Sequence, residues 1–155
     1  MKLSTKGRYA VTALADIALA GGEAPVPLAD IAERQSISLA YLEQLFVRLR
    51  RGGLVESVRG PGGGYRLAHA PREITIAQVM AAVDERLNAM GCDGEREGAC
   101  GPKAQCLTHA LWEQLSAHVH VFLSRTTLAD VVADRLVPCP AVPDFADLVD
   151  EDAEA

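Results

Sequence analysis

The spacing of hydrophobic residues divides the N-terminal part of the chain into three helices. Residues 5–20 are apolar on nearly every side, contain no proline and end at two glycines, which predicts a largely buried helix. After a Pro-Val-Pro break, residues 28–34 are amphipathic and predict a second, short helix. Ser38 is placed to cap a third helix. The apolar stripe of this third helix is Leu39, Leu42, Leu45, Phe46 and Leu49.

The outer face of the third helix is polar and basic. Tyr41, Gln44, Arg48 and Arg51 follow one another along it at spacings of three, four and three residues. Two short helices joined by a tight turn, the second with a polar outer face, are typical of a helix-turn-helix.

Two short strands follow the third helix. Residues 54–58 alternate in polarity, residues 65–67 form a second strand, and Arg59 leads a glycine-rich connection between them. The pair predicts a β-hairpin of the kind called a wing when it follows a helix-turn-helix. The glycines do not predict a nucleotide site, because they open no helix and no Lys-Ser/Thr pair follows them.

The C-terminal half returns to helical periodicity, interrupted by one long segment without any period. A helical pattern runs over 74–88, and another runs from 107 to 125 with a stripe of apolar side chains. We predict that this stripe forms a dimer contact, because a lone helix of this kind needs a partner for its apolar face. The residues concerned are Leu111, Trp112, Leu115, Val119 and Phe122.

These patterns together predict a mainly α chain, with a winged helix-turn-helix, a two-stranded wing and a long C-terminal dimerisation helix. The expected organisation is a winged helix-turn-helix over 1–72, a connecting helix over 73–89, a long loop over 90–109, dimerisation helices over 107–136 and an acidic, disordered tail over 137–155.

Charge is distributed unevenly along the chain, whose formal net charge is -6. Residues 1–72 carry a net charge of +4 and residues 73–155 carry -10. Only the first half therefore suits a polyanion, although arginines on a solvated helix face are an equally ordinary explanation. The 49% apolar and 23% charged residues are typical of a folded globular protein. No apolar run is long enough for a membrane span and the start lacks a signal-peptide core, so we expect a cytoplasmic protein without a membrane partner.

Three cysteines and a histidine form the strongest chemical signal. Cys92, Cys100, Cys106 and His109 follow a C-x7-C-x5-C-x2-H spacing in a polar segment, which indicates metal or cluster binding. Spacing alone leaves a structural zinc ion and an iron-sulfur cluster equally open. Cys139 lies between two prolines and is interpreted as an exposed thiol. No nucleophile and base are placed together, so we do not expect an enzyme.

Several stretches, taken in order, resemble one known family. KGRYAVTALADIAL, LADIAERQSIS, YLEQLF, LRRGGLVESVRGPGGGY and CLTHALW are similar to the bacterial winged-helix regulators of iron-sulfur cluster genes, over about residues 1–130. The resemblance implies a homodimeric, DNA-binding repressor of cluster biogenesis genes, and the cluster-assembly machinery as its cluster donor. It also implies one [2Fe-2S] cluster per subunit, held by Cys92, Cys100, Cys106 and His109. The alternatives are a nitric-oxide or redox sensor of the same family, or a non-DNA-binding iron-sulfur or zinc protein.

Two details of the sequence bear on that resemblance. Related nitric-oxide sensors take their fourth ligand from an acid at the start of the first helix, whereas this chain has Lys6-Gly7-Arg8-Tyr9 there. Ala40 stands where the resemblance leads us to expect a serine, and the Cys92 to Cys100 gap is longer than expected. The chain therefore lacks the hydroxyl of the serine that the resemblance implies at position 40, and the loop between its first two cysteines is longer than the resemblance implies.

The winged-helix interpretation assigns DNA contacts to the third helix and the wing. Glu43 is the only acid between Ser38 and Arg51, and we expect it to exclude some DNA sites. Arg59 is expected to enter a flanking minor groove. The full set of expected DNA contacts is Lys2, Ser38, Tyr41, Glu43, Gln44, Arg59 and Gly60.

Overall fold

A computed structural model describes residues 4–20, 24–86 and 108–136. Within these ranges the helices are α1 (Thr5–Leu19), α2 (Leu28–Gln35), α3 (Leu39–Arg51), α4 (Ile76–Ala82), α5 (His109–Arg125) and α6 (Leu128–Val132). The strands are β1 (Val55–Val58) and β2 (Gly64–Leu67), and a short 3-10 turn spans Pro71–Glu73. The predicted mainly α fold with a two-stranded wing is confirmed.

Helix α1 lies at the centre of the packed domain. Its alanines allow close approach of neighbouring elements, and α1 contacts α2, α3, α4, α6 and strand β2. Ala10, Ala13 and Leu14 are fully buried. The core around them contains Ile31, Leu42, Phe46, Leu49, Ile74, Val79, Val83 and Leu128.

The turn between α2 and α3 is tight, as a helix-turn-helix requires. Ser36 ends α2 in the left-handed region with φ of 53°, and Ile37 turns inward to become a buried residue. Ser38 is the N-cap residue of α3, but its side chain makes no capping hydrogen bond. The helix therefore begins at the N-cap residue that the sequence predicts, without the hydrogen bond that a serine side chain often supplies at this position.

The wing is an antiparallel hairpin that is attached to the helices at two places. Its register pairs Val55 with Leu67 and Ser57 with Tyr65. Tyr65 also exchanges two backbone hydrogen bonds of 2.8 Å with Val26, just before α2. Its ring packs on Phe46 of α3, with ring centroids 4.8 Å apart. The wing is thus held in a fixed position beside α3.

Helix α4 is shorter than the connecting helix predicted over 73–89. Thr75 and Gln78 form a capping box at its start, and Asp84 adopts a φ of 53° just after its end. A residue in this left-handed conformation stops an α-helix, and the helical pattern of the sequence does not reveal it. Residues 87–89 lie outside the described part of the chain.

Helices α5 and α6 complete the described structure. Leu128 of α6 is fully buried and donates its backbone N–H to the carbonyl of Ile74 at 2.8 Å, which attaches α6 to the domain. Helix α5 has 17 residues, and none of them is buried. Of the helices that the structure describes, none has the length and apolar character needed to cross a membrane.

Candidate nucleic-acid interface and cluster ligands

Helix α3 has one face in the core and the opposite face in solvent. Leu42, Leu45, Phe46 and Leu49 are buried, because they recur at the helical period. The opposite face carries Ala40, Glu43, Gln44, Val47 and Arg51, all exposed. We call these five residues the outer stripe. Ser38, the N-cap residue, and Glu43 and Gln44, in the first half of α3, are exposed, as a DNA-contacting role requires.

Tyr41 is less available than the sequence suggests. It is half-buried at the side of α3, and its ring meets Tyr9 of α1 edge to face, with centroids 5.9 Å apart and planes at 84°. The contact fixes the direction of the Tyr41 ring. The contact of Tyr41 with DNA stays a prediction. Such a contact would have to be made from the side of α3 rather than from its outer stripe.

The wing presents Arg59 and Gly60 at its exposed tip. Gly60 has a φ of 106°, a conformation that favours glycine, and a Cβ added there would meet nothing within 4 Å. The tip therefore has room to approach a DNA backbone closely. Lys2, the remaining predicted DNA contact, lies outside the described residues.

The seven arginines of residues 34–72 divide into two groups. Three are paired with acids: Arg34 with Asp16, Arg48 with Asp84 and Arg66 with Glu56. The others take part in no ion pair within the described part of the chain, and they are Arg50, Arg51, Arg59 and Arg72. The arginines without an acidic partner therefore lie at the end of α3, at the wing tip and in the 3-10 turn.

Asp16 joins α1 to α2 through a buried carboxylate. Its side chain is 5% exposed and accepts hydrogen bonds from Arg34 at 2.5 and 3.1 Å and from Gln35 at 2.7 Å. The Arg34 hydrogen bonds lower the pKa of Asp16, with help from Gln35, against the opposing effect of burial. This bidentate pair fixes the orientation of the first helix of the helix-turn-helix.

The segment after α4 is fastened to both α1 and α3. Arg48 of α3 donates to the Asp84 carboxylate at 2.7 Å and to the carbonyl of Val83 at 3.3 Å. Glu85 accepts hydrogen bonds from the backbone N–H and the hydroxyl of Ser4, the N-cap residue of α1. Burial alone would raise the pKa of Glu85, but the hydrogen bonds from Ser4, with help from the Gly7 backbone and the charge of Lys6, lower this pKa below its usual value.

Three of the four predicted cluster ligands fall outside the described residues. These are Cys92, Cys100 and Cys106, and Cys139 falls outside as well. His109 is described: it is the first residue of α5, and its side chain is exposed. Among the described residues, no group of three or more His, Cys, Asp or Glu side chains is placed to hold a metal ion.

The predicted dimer stripe is exposed along α5. Leu111 is 60% exposed, Phe122 49%, and Trp112 and Leu115 about 40% each. Val119 is half-buried. The stripe is thus open to a partner, and the dimer itself stays a prediction.

Sequence reasoning missed three residues that shape this surface. Tyr65 was assigned only to a strand, Asp84 only to a helix, and Val47 to neither face of α3. The packing of the Tyr65 ring on Phe46 is a tertiary contact between β2 and α3, and the left-handed backbone of Asp84 interrupts a helical pattern; periodicity encodes neither. Val47 was detectable, because it lies three residues after Gln44 and seven after Ala40.

The fold and this surface define a winged-helix, DNA-binding transcriptional regulator. A model of the Rrf2 family, described as an iron-dependent transcriptional regulator, matches residues 3–134, and the chain belongs to this family. Among curated relatives, HTH-type transcriptional regulator IscR of Cereibacter sphaeroides is 57% identical, over 98% of this chain and all of the relative. The IscR of Aliivibrio salmonicida is 56% identical over 88% of this chain and 80% of the relative.

Solved structures agree with this assignment. T. potens IscR is 40% identical with a TM-score of 0.69, covering 86% of this chain and 88% of its own. CymR, the global cysteine regulator of B. subtilis, is 34% identical with a TM-score of 0.72, covering 86% of this chain and 98% of its own. The relatives are named as regulators, which is a non-enzymatic role and matches the sequence expectation.

Proposed function

We propose that this regulator is an iron-sulfur cluster-responsive repressor of iron-sulfur cluster biogenesis genes. The observation that carries the proposal is the position of the predicted ligands in the chain. Cys92, Cys100 and Cys106 lie between the end of α4 and the start of α5, and His109 is the first residue of α5. Asp84, two residues after α4, is ion-paired with Arg48 of α3. Along the chain, the predicted cluster segment therefore comes soon after a residue that contacts the DNA-facing helix.

The donor set of this connection fits a [2Fe-2S] cluster. Cys92, Cys100 and Cys106 supply three thiolates, which are the ligands iron-sulfur clusters use most, and His109 supplies one imidazole. His109 is exposed, and it has no hydrogen-bond partner among the described residues that would hold its ring away from a ligand. Neutral imidazole is a weaker and pH-dependent ligand, so a cluster held in this way is more readily lost than one held by four thiolates.

Each subunit would hold one cluster, delivered by the cluster-assembly machinery. When bound, the cluster would supply a redox-active and oxygen-sensitive centre, so that its occupancy depends both on its supply and on its loss. The description of the Rrf2 family as iron-dependent regulators supports an iron-containing cofactor.

The regulator is proposed to bind promoter DNA as a homodimer. The exposed apolar face of α5 supports association of two copies, since this face has no partner within the described residues. A two-fold dimer places two α3 helices on half-sites about one helical turn apart. In each half-site, Gln44 and the other outer-stripe residues face base edges, while Arg59 of the wing faces the flanking minor groove.

Anaerobic purification tests the cofactor. Absorbance, EPR after reduction, and iron and sulfide analysis should give about two iron and two sulfide per subunit. Cys92→Ala, Cys100→Ala and Cys106→Ala should each abolish the visible absorbance, whereas Cys139→Ala, the matched control, should leave it unchanged. Stoichiometric zinc without sulfide in anaerobic protein would contradict the proposal.

A further inference from the structure

Val47 occupies the middle of the solvent-facing side of α3. It is 47% exposed, and it lies on the opposite side of the helix from the fully buried Leu42 and Leu49. A helix advances about 1.5 Å per residue, so Val47 is roughly one turn beyond Gln44 on the same stripe. Arg51 continues that stripe after one more turn. Val47 is therefore flanked by a predicted base-reading residue and by a cation that is free within the described chain.

Neither folding nor helix propensity explains a valine at this position. A β-branched residue loses side-chain freedom in a helix, so a straight-chain polar residue would suit an exposed position better. Half of the Val47 side chain remains in solvent, so its burial adds little to the core. Its chemistry is also simple, because it has no hydrogen-bond donor or acceptor in its side chain.

The major groove offers one apolar group to a side chain of this kind. Thymine presents its C5-methyl group there, whereas the other edges of the four bases present donors and acceptors. Valine cannot bind phosphate or accept from a base, so a methyl contact is the interaction that remains. Ala40, at the other end of the outer stripe, adds a second small apolar group beside Gln44.

We propose that Val47 is a specificity-determining residue that selects a thymine in each half-site by contact with its C5-methyl group. Gln44, one turn earlier, faces the neighbouring base pair and suits adenine, since an amide reads adenine N6 and N7. This inference rests on the proposed position of α3 in the major groove. It adds a preference for thymine, which the polar residues of the helix do not supply.

The test removes single methyl groups from the DNA. Cluster-loaded wild-type protein first selects duplexes from a randomised library, and each thymine of a selected duplex is then replaced in turn by deoxyuridine, which lacks only that methyl. Wild type should lose about fourfold in affinity at one thymine per half-site, the effect of one apolar carbon. Val47→Ser should bind both duplexes equally at that position. Leu19→Ser, at an exposed leucine on α1, should keep the wild-type pattern.

The outcomes separate this inference from the function on which it rests. Equal sensitivity to deoxyuridine in wild type and Val47→Ser, or no sensitive thymine in wild type, overturns the role of Val47. Unchanged binding by Gln44→Ala overturns the placement of α3 itself. Val47→Thr keeps the side-chain shape and one methyl group, and it replaces Val47→Ser if the serine variant does not fold. In Val47→Thr, the loss of affinity caused by deoxyuridine should be smaller than in wild type.

Discussion

Arg48 of α3 donates a hydrogen bond to the carboxylate of Asp84 at 2.7 Å, and this pair joins the DNA-facing helix to the chain leading into the predicted cluster segment. The same Asp84 has its backbone carbonyl bonded to Lys6 of α1 at 3.1 Å. Arg48, which the sequence places on the polar outer face of α3, is thus paired with an acid within the protein. The pairing lowers the net positive charge that α3 presents to DNA.

Removing the Asp84 charge should release Arg48 for DNA. Asp84→Asn is expected to raise affinity for non-specific duplex and to steepen the dependence of log affinity on log salt by about one phosphate contact per subunit. Because the pair is exposed, stability should fall by less than about 1 kcal/mol. Salt titrations by fluorescence anisotropy measure the slope.

A matched control distinguishes this release from a general change in charge. Asp30→Asn removes one negative charge from exposed α2 without freeing an arginine, since Asp30 forms no ion pair in the described structure. An equal steepening in both variants would show that net charge alone is responsible.

The Asp16 carboxylate should make the free energy of unfolding depend on pH. Asp16→Asn loses the charge-assisted bonds from Arg34, and we expect a loss of about 2 kcal/mol at neutral pH. Because folding lowers the pKa of Asp16, its contribution is fully present above the pKa of the unfolded chain and is lost as pH falls through the folded pKa. The difference in unfolding free energy between wild type and variant should therefore shrink below about pH 4. If denaturant titrations gave the same difference in unfolding free energy from pH 7 to pH 3, this role of Asp16 would be contradicted.

At Gly64 the backbone of the wing lies close to the backbone of Val26, and this contact fixes the position of the wing. A Cβ added there would lie 2.3 Å from the Val26 carbonyl oxygen, which belongs to the bridge with Tyr65. Gly64→Ala should therefore cost about 2 kcal/mol or more in stability and weaken DNA binding by moving the wing. Gly62→Ala is the control: its φ is 72° but its Cβ would meet nothing within 4 Å, so only about 1 kcal/mol of backbone strain is expected. Equal melting temperatures for the two variants would contradict the conclusion that the close approach at Gly64 fixes the position of the wing.

Local patterns of the sequence account for the fold better than for the details of the site. The apolar periods at Leu42, Leu45 and Leu49 and the glycine-rich hairpin are short-range signals, and they predicted α3 and the wing directly. The end of α4 depended on one left-handed residue, Asp84. The pairing of Arg48 with Asp84 joins residues that are 36 positions apart, so no local pattern contains it.

The exposed stripe of α5 should hold two subunits together. Leu115→Glu places a charge in this apolar face, and desolvating it on association is unfavourable, so the variant should be monomeric at micromolar concentration. Val121→Glu is matched in exposure, at 48%, but lies on another side of α5, and it should remain dimeric. Light scattering gives the mass of each. A monomeric wild type, or monomers from both variants, would contradict a dimer through this stripe.

Glu43 should decide which promoters are accepted when the cluster is absent. It is exposed on the outer stripe of α3, and no hydrogen bond or ion pair within the described chain neutralises it. A free carboxylate is repelled by phosphates and by guanine acceptors, and it is accepted only where the DNA offers a donor such as cytosine N4. In a cluster-free Cys92→Ala background, Glu43→Ala should therefore regain binding at promoters that only the cluster-loaded protein binds, by about tenfold if the repulsion costs about 1.4 kcal/mol. Glu33→Ala, an exposed acid of α2, is the control and should regain nothing. Equal affinities of Cys92→Ala with and without the Glu43 change, across a promoter panel, would place the effect of the cluster elsewhere on the DNA-binding surface.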